Sequence, residues 1–403
     1  MSYNSSTRAR RAPNSTNRAR SFRSGGAKKG ARKQYIHPSK FINRTTQEQE
    51  IVEYVPTHRF ADFALADQLH KNLTSIGFDT PSAIQDQAIP LLLEGKDVIG
   101  LANTGTGKTA AFLLPIMTSL AKKPERSSVL IMAPTRELAQ QIDAECKRFS
   151  RDMRLFSTVV VGGTNIDRQI RDLKRQPHFI IGTPGRLNDL LDRGVLRLDK
   201  ISHFVLDEAD RMLDMGFIAD IRKIAQQLPN NRQTFCFSAT ITPPIQALVH
   251  DFMRDPEIVS VRTGETSDHV LQDIIEASDK QHKQDILQGL LAKEQFDKVL
   301  VFGETKFGVQ RLADSLTKQG IPSEAIHGNK SQSQRQRALN AFKTNKVKVL
   351  IATDVAARGL DIPNVSHVIN FDQPATYSDY VHRIGRTGRG GAKGAALTFV
   401  DKA

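Results

Sequence analysis

Tryptophan is absent from this 403-residue chain, and aromatic residues together make up only 6% of it. The chain is thus sparingly equipped for stacking bases one after another. Cysteine occurs twice, as Cys146 and Cys236, each alone in an apolar or helical run. With no paired metal-ligand spacing, this argues against a zinc site and suits a reducing compartment. No stretch approaches 18 uninterrupted apolar residues, so no membrane span is expected, and a bacterial cytoplasm fits the missing signals best. Acidic side chains are missing from the first 47 residues, which hold twelve Lys or Arg. Of the net charge of +14, the other 356 residues thus carry about +2 (14 − 12).

That acid-free stretch is rich in Ser, Asn, Ala and Gly and has too few apolar side chains to order itself. Residues 1–50 are expected to be a disordered basic tail. Nucleic-acid binding through counterion release is favoured over a solubilising extension or an organelle-targeting segment, since residues 1–34 offer almost no aliphatic face. With the chain stopping at Ala403, soon after its last predicted strand, any targeting within it is assigned to this tail.

Past residue 50, short apolar runs alternate with amphipathic segments, the mark of βαβ units and parallel sheets. Strands are predicted at 129–133, 158–161, 179–181, 204–206 and 234–237. A helix is predicted at 137–149, where Leu138, Ile142 and Cys146 recur every four residues. A break near 255–272, with Pro256, Gly264, Thr266 and Ser267, reads as a linker. A second series follows at 298–302, 347–352, 368–371 and 395–399. The division expected is a first domain over 51–262, a linker over 263–272 and a second domain over 273–403.

The chemistry is concentrated in the first domain. Ala102-Asn103-Thr104-Gly105-Thr106-Gly107-Lys108-Thr109 follows an apolar strand and opens a helical run, the context that identifies a phosphate-binding loop. Lys108 places a compact charge on the terminal phosphates, and the Thr109 hydroxyl suits Mg²⁺. Ala102 stands where the general pattern has a glycine. Downstream, Asp207-Glu208-Ala209-Asp210 ends the strand Phe204-Val205-Leu206. Asp207 can hold the Mg²⁺ shell through water, and Glu208 can orient and deprotonate an attacking water. A turn capping the next helix is the bland alternative. Pro134-Thr135-Arg136, Gly162-Gly163 and Thr183-Pro184-Gly185-Arg186 each follow a strand, and two of them open helices. A helix N-terminus with a hydroxyl and an arginine suits the phosphate oxygens of a nucleic acid, and these residues serve equally as ordinary strand-to-helix turns with N-caps.

Loop and acidic tetrad together resemble those of the DEAD-box ATP-dependent RNA helicases of superfamily 2, and the similarity extends over nearly all of residues 57–402. The leading alanine is usual in that family. The resemblance implies two tandem RecA-like parallel-sheet domains, an RNA-dependent ATPase activity, and ATP, Mg²⁺ and RNA as ligands. It also implies an adenine-reading segment over 57–90, with Phe60, Phe78 packing on the base, and Gln85 bonding the base edge. Asp210 and Ser238-Ala239-Thr240 would couple the acidic site to the second lobe. In His382-Arg383-Ile384-Gly385-Arg386-Thr387-Gly388-Arg389, the match makes Arg386 and Arg389 arginine fingers and has His382 and Arg383 tie the lobes together. Asp361 would meet the ribose. Thr353 and Arg358 would serve RNA contact and lobe coupling, and Gly328 and Arg335 belong to RNA-side motifs.

A site divided between lobes implies that closure completes it and that ATP and RNA bind cooperatively. Local strand separation or remodelling with low sequence specificity is expected, in settings such as ribosomal-precursor or mRNA-decay assemblies. A nucleotide-gated RNA clamp and a DNA-remodelling motor are the competing readings. The first is disfavoured by Glu208, Arg386 and Arg389, the second by the form of the tetrad and the adenine segment. Deleting residues 1–45 is expected to weaken RNA affinity and flatten its salt dependence, with hydrolysis at saturating RNA nearly intact. Unchanged binding at low salt in a filter-binding titration would refute that role for the tail.

Overall fold

Successive side chains of a strand point to opposite faces, and this decides which layer each apolar residue feeds. In the computed structural model, which describes Met1 and residues 35–43, 54–103, 105–261, 270–357, 362, 364–388 and 394–402, this produces two open parallel sheets. The first sheet comprises β1 (Val98–Leu101), β2 (Val129–Met132), β3 (Ser157–Val160), β4 (Phe179–Gly182), β5 (His203–Leu206), β6 (Gln233–Ser238) and β7 (Glu257–Ser260). Its order is β3-β4-β2-β5-β6-β1-β7. Val98, Val129, Ile131 and Val205 face the helices Ala83–Leu93, Lys108–Lys122 and Arg136–Phe149. Ile99, Leu130, Met132, Phe204 and Leu206 face Pro184–Asp192, Ile218–Ala225 and Pro243–Phe252.

The second sheet comprises β8 (Val270–Ala277), β9 (Val299–Phe302), β10 (Ser323–Ile326), β11 (Val349–Ala352), β12 (His367–Asn370) and β13 (Gly394–Asp401). Its order is β10-β11-β9-β12-β13-β8. Leu300, Phe302 and Leu350 feed one layer, and Val299, Val301 and Ile351 the other. Both domains therefore form three-layer α/β sandwiches whose carboxyl strand ends carry the motif-bearing loops on one edge, where ligands of open α/β sheets bind.

The expected strands form within two residues of their predicted limits, and Leu138, Ile142 and Cys146 are all buried. Three expectations need correcting. The stretch read as a linker contains β7, paired with β1, and its residues 270–272 open β8, paired with β13. Both are edge strands with exposed residues such as Ile258 and Leu271, so neither shows a continuous apolar run. The edge strand β10 was not predicted for the same reason. Within the supposed disordered tail, residues 35–43 are folded, with Phe41 fully buried. Removing residues 1–34, and not 1–45, is thus the truncation that tests the tail alone.

Asp97 explains how β7 is held. Its carboxylate accepts from Thr234 N at 2.7 Å and Arg254 N at 2.9 Å, and its carbonyl accepts from Glu257 N at 2.9 Å. Replacing Asp97 by Ala leaves two sheltered N–H groups without their acceptor, an expected loss of about 2–4 kcal/mol in urea unfolding.

Candidate active site and RNA-binding face

Backbone shape builds the phosphate loop. Gly105 and Gly107 take φ of 88° and 92°, and a Cβ at Gly107 would lie 2.3 Å from the Gln85 amide. Gly107 precedes the helix Lys108–Lys122 with no side-chain cap, so the first helical N–H groups remain available to an anion. Lys108 is 6% exposed and donates to Ala102 O at 3.0 Å. Ala102 N in turn donates to Ser238 O at 3.0 Å, which fastens the loop to the end of β6. Asn103 and Thr106 share a bond, Thr106 Oγ1 to Asn103 O, 2.8 Å. Thr109 lies half-buried in the first helical turn. Thr104 lies outside the described residues.

The acids of the tetrad sit at the carboxyl end of β5. Asp207 is 2% exposed, and its Oδ1 has no hydrogen-bond partner. Burial pushes its carboxyl up to about 6, with Lys108 opposing and Glu208 and Asp210 reinforcing. An orphaned carboxylate oxygen beside the loop's lysine fits a divalent cation held between Thr109 and Asp207. Glu208 adopts φ 54°, a left-handed conformation unusual for a side-chain-bearing residue, and its carboxylate pairs with Arg211 at 3.1 Å. Asp210 accepts from Ala239 N at 3.0 Å and Thr240 N at 3.2 Å. Ser238 Oγ donates to Thr240 O at 2.7 Å. These bonds stay within the first lobe and reach the phosphate loop through Ser238.

The adenine-reading segment is held by its own polar network. Gln85 Oε1 accepts from Ser82 N at 2.8 Å, and Nε2 donates to Gly107 O at 3.0 Å. One amide hydrogen and one lone pair remain for a base edge. Phe60 is buried against Phe63 and Phe78, at centroid distances of 5.8 and 5.7 Å. The half-buried Phe78 ring also carries Arg148 at 5.4 Å. Asp86, absent from the sequence reading, accepts from Tyr54 Oη, Thr57 N and His58 N at 2.5, 2.7 and 3.1 Å. Burial raises its carboxyl, but these bonds outweigh that and hold it below the ordinary value. Asp86 therefore fixes the strand of chain leading to Phe60. Its neighbour Gln85 was the clue that this helix face is functional.

The RNA-side residues of the first lobe converge. Gly163, at φ 72°, has Arg136 Nη1 where a Cβ would be, at 2.2 Å. Arg186 reaches Thr164 O at 3.4 Å from the other side. Thr135 caps the helix Arg136–Phe149 by accepting from Leu138 N at 3.2 Å, and Pro134 is buried ahead of it; Thr183 stands at the N-cap of Pro184–Asp192 but makes no side-chain capping bond.

The second lobe meets this edge. Arg335 Nε lies 3.0 Å from Glu137 Oε1, both largely buried, and Gln332 Nε2 lies 3.5 Å from Gln140 Oε1. Arg335, expected to face RNA, thus pairs across the lobes. Glu137, which belongs to the same turn-and-helix motif as Thr135 and Arg136, meets it as an ion pair without hydrogen-bond geometry. Gly328 is exposed beside it, and Thr353 N bonds Ile326 O at 3.4 Å. His382 is driven down to about 4 by burial first, then Arg211, with Asp210 opposing and Arg386 adding. Its imidazole therefore lies close to Arg211 and Asp210 of the first lobe. Arg383 differs from expectation. It makes a bidentate pair with Asp354 at 2.6 and 2.7 Å and donates to Asn370 and the Asp372 carbonyl, all within the second lobe. Arg386 is 3% exposed near Asp379, His382 and Arg383. Arg358, Asp361 and Arg389 lie outside the described residues.

The family pattern for DEAD/DEAH box helicases matches residues 82–248, and that for the helicase conserved C-terminal domain matches residues 282–391. The ATP-dependent RNA helicase CshA of Listeria monocytogenes is 45% identical over 343 residues, which cover 85% of this chain and 66% of that protein. The DEAD-box ATP-dependent RNA helicase CshA of Geobacillus kaustophilus is 47% identical over 342 residues, covering 85% and 73%. The chain thus spans just under two thirds to nearly three quarters of these relatives' length. Saccharomyces cerevisiae Dbp5 bound to RNA and ADP BeF3 superposes with a TM-score of 0.75 at 32% identity, over 85% of this chain and 90% of that one. Mss116p bound to ssRNA and AMP-PNP gives 0.76 at 31%, over 84% and 73%. Among the described residues, no helix is long and apolar enough to cross a membrane.

Asp207 supplies a pH dependence. Its folded value of about 6 lies above the ordinary carboxylate value, so the folded chain keeps a proton that the unfolded chain has already released. Its contribution to stability is present at low pH and lost as pH rises through about 6. Cation binding needs the deprotonated form, so Mg²⁺-dependent ATP affinity is expected to weaken by up to about tenfold per unit below that value. A fluorescent-nucleotide titration at several pH values checks this, and Asp207→Asn should abolish the dependence.

Proposed function

The chain belongs to the DEAD-box family of ATP-dependent RNA helicases, and from that membership we propose an RNA-dependent ATPase that separates or remodels RNA locally when its two lobes close. The observation that carries this reading is the junction of the lobes. The Glu137–Arg335 ion pair is made by the helix that follows the first lobe's Pro134–Thr135 turn, while His382 lies close to Arg211 and Asp210. RNA lying across Arg136, Gly163 and Arg186 on one side and Gly328 and Thr353 on the other would favour the same closure. The RNA- and nucleotide-bound relatives that superpose on both lobes support it.

Lys108 and the loop's N–H groups bind the phosphates of ATP, Gln85 faces the base, and Asp361 the ribose. Thr109 and Asp207 would hold Mg²⁺, which neutralises phosphate charge when bound. Glu208 orients a water toward the terminal phosphorus and accepts its proton as the bond to the bridging oxygen breaks and ADP leaves. Its pairing with Arg211 fixes the carboxylate before substrate arrives. Arg386 and Arg389, delivered from the second lobe, stabilise the charge that develops on the transferred phosphoryl group. RNA is held through its backbone, so one sequence is bound much like another. The two buried thiols suit a reducing cytoplasm.

Steady-state ATP hydrolysis without nucleic acid, with single-stranded RNA and with DNA of the same sequence tests the proposal. RNA alone should stimulate, and Glu208→Gln should lower kcat by about a hundredfold or more with little change in KM. Equal stimulation by DNA would instead indicate a general nucleic-acid motor. Tight ATP-dependent RNA binding without turnover would indicate a clamp.

A further inference from the structure

Residues 35–43 carry none of the motifs above, yet they are built into the second lobe. Pro38 opens a short 3-10 turn, Pro38–Phe41, and the His37 side chain accepts from Ser39 N at 3.3 Å. That turn directs Phe41 inward. Ile36 and Phe41 are 8% and 0% exposed and belong to the same apolar cluster as Val270, Tyr380, Ile384 and Val400. Asn43 and Gln272 exchange backbone hydrogen bonds of 2.9 and 3.0 Å, an antiparallel pairing on the free side of the edge strand β8. This covers part of an edge that would otherwise be open to pairing.

The same segment grips one helix, Tyr377–Ile384. The Phe41 and Tyr380 rings lie 4.7 Å apart at their centroids, and Tyr380 Oη donates to Gln272 Oε1 at 2.8 Å. The Lys40 ammonium lies 5.7 Å from the Tyr377 ring. Tyr377 and Tyr380 are one turn apart on one face. This helix carries His382 and Arg383 and runs directly into Arg386. An eight-residue helix does not hold its own shape or direction, so its walls set where Arg386 points. Arg383 with Asp354 and Asn370 forms one wall. Phe41 packs on the helix's apolar side, in the cluster that Tyr380 and Ile384 share with Val270, Phe302 and Val368. Further along, the Tyr54 hydroxyl bonds Asp86 in the first lobe.

We propose that residues 36–43 are a strap that positions the helix Tyr377–Ile384, and through it Arg386, for ATP hydrolysis, with Phe41 as the positioning residue. The inference rests on the reading of Arg386 as a group that meets the terminal phosphate. Without Phe41, Tyr380 faces a void into which the helix shifts, and a displacement of about 1 Å at a reacting group costs up to about a hundredfold in rate.

The test is RNA-stimulated ATP hydrolysis by the full chain carrying Phe41→Ala, Phe41→Leu or Ile36→Ala, with Arg386→Ala alongside. For Phe41→Ala, kcat is expected to fall about tenfold or more while KM for ATP stays within about twofold, because the loop and adenine segment lie in the other lobe. Phe41→Leu restores most of the volume and should recover most of the rate. Tryptic cleavage after Lys40 should accelerate in Phe41→Ala, reporting release of the strap independently of catalysis. A kcat for Phe41→Ala within about twofold of the unaltered chain overturns the proposal. So does an equal loss in Phe41→Leu, or a loss expressed only in KM. If Phe41→Ala does not fold, Ile36→Ala decides by the same kcat-against-KM split. An unaffected Arg386→Ala would instead overturn the role assigned to Arg386, whatever the strap variants do.

Discussion

Three carboxylates within four residues, at the end of one buried strand, set the terms for the rest of this molecule. Asp207, Glu208 and Asp210 are 2%, 2% and 7% exposed. Charges so placed are costly unless each finds a partner. Asp210 takes two N–H groups from the end of β6, and Glu208 takes the Arg211 guanidinium. Asp207 has Lys108 as its compensating charge yet keeps an orphaned oxygen. That unequal satisfaction is what a nucleotide site requires. Two acids are fixed in place, and the third is left short of a cation.

The left-handed backbone at Glu208 fits the same account. A conformation that side-chain-bearing residues avoid is sustained by the strand before it and the helix after it. The Glu208 carboxylate pairs with Arg211, while Asp207 faces the charge of Lys108. The cost is met by the packing of the two α/β layers, since β5 lies in the middle of its sheet between β2 and β6.

The second lobe repeats the architecture without the loop, and its contribution is positional. Its charged groups are organised from behind: Arg383 is committed to Asp354 and Asn370, and Tyr380 to Gln272 and Phe41. What reaches the first lobe, Arg335 and His382, does so because those internal contacts fix where the helices end. Among the described residues, the Glu137–Arg335 ion pair is one contact made between the lobes.

Much of the site was legible in the residues alone. The phosphate loop, the acidic tetrad and the strand-to-helix turns are local, because each needs its residues at fixed short spacing on one loop. The central strands were legible too, since burial on both faces demands continuous apolar runs. The edge strands β7, β8 and β10 were not, because one side of each meets solvent and polar residues are tolerated there. Tertiary structure alone decided the pairing of Glu137 with Arg335, the enclosure of Arg383 within its own lobe, and the docking of Phe41 on a helix that the chain forms only near its end. Those contacts join segments far apart in sequence, and no local pattern records which distant surface a side chain will meet. The sequence by itself determined the chemistry of the nucleotide site. The folded arrangement decided which charged groups face across the cleft and which are spent holding it in shape.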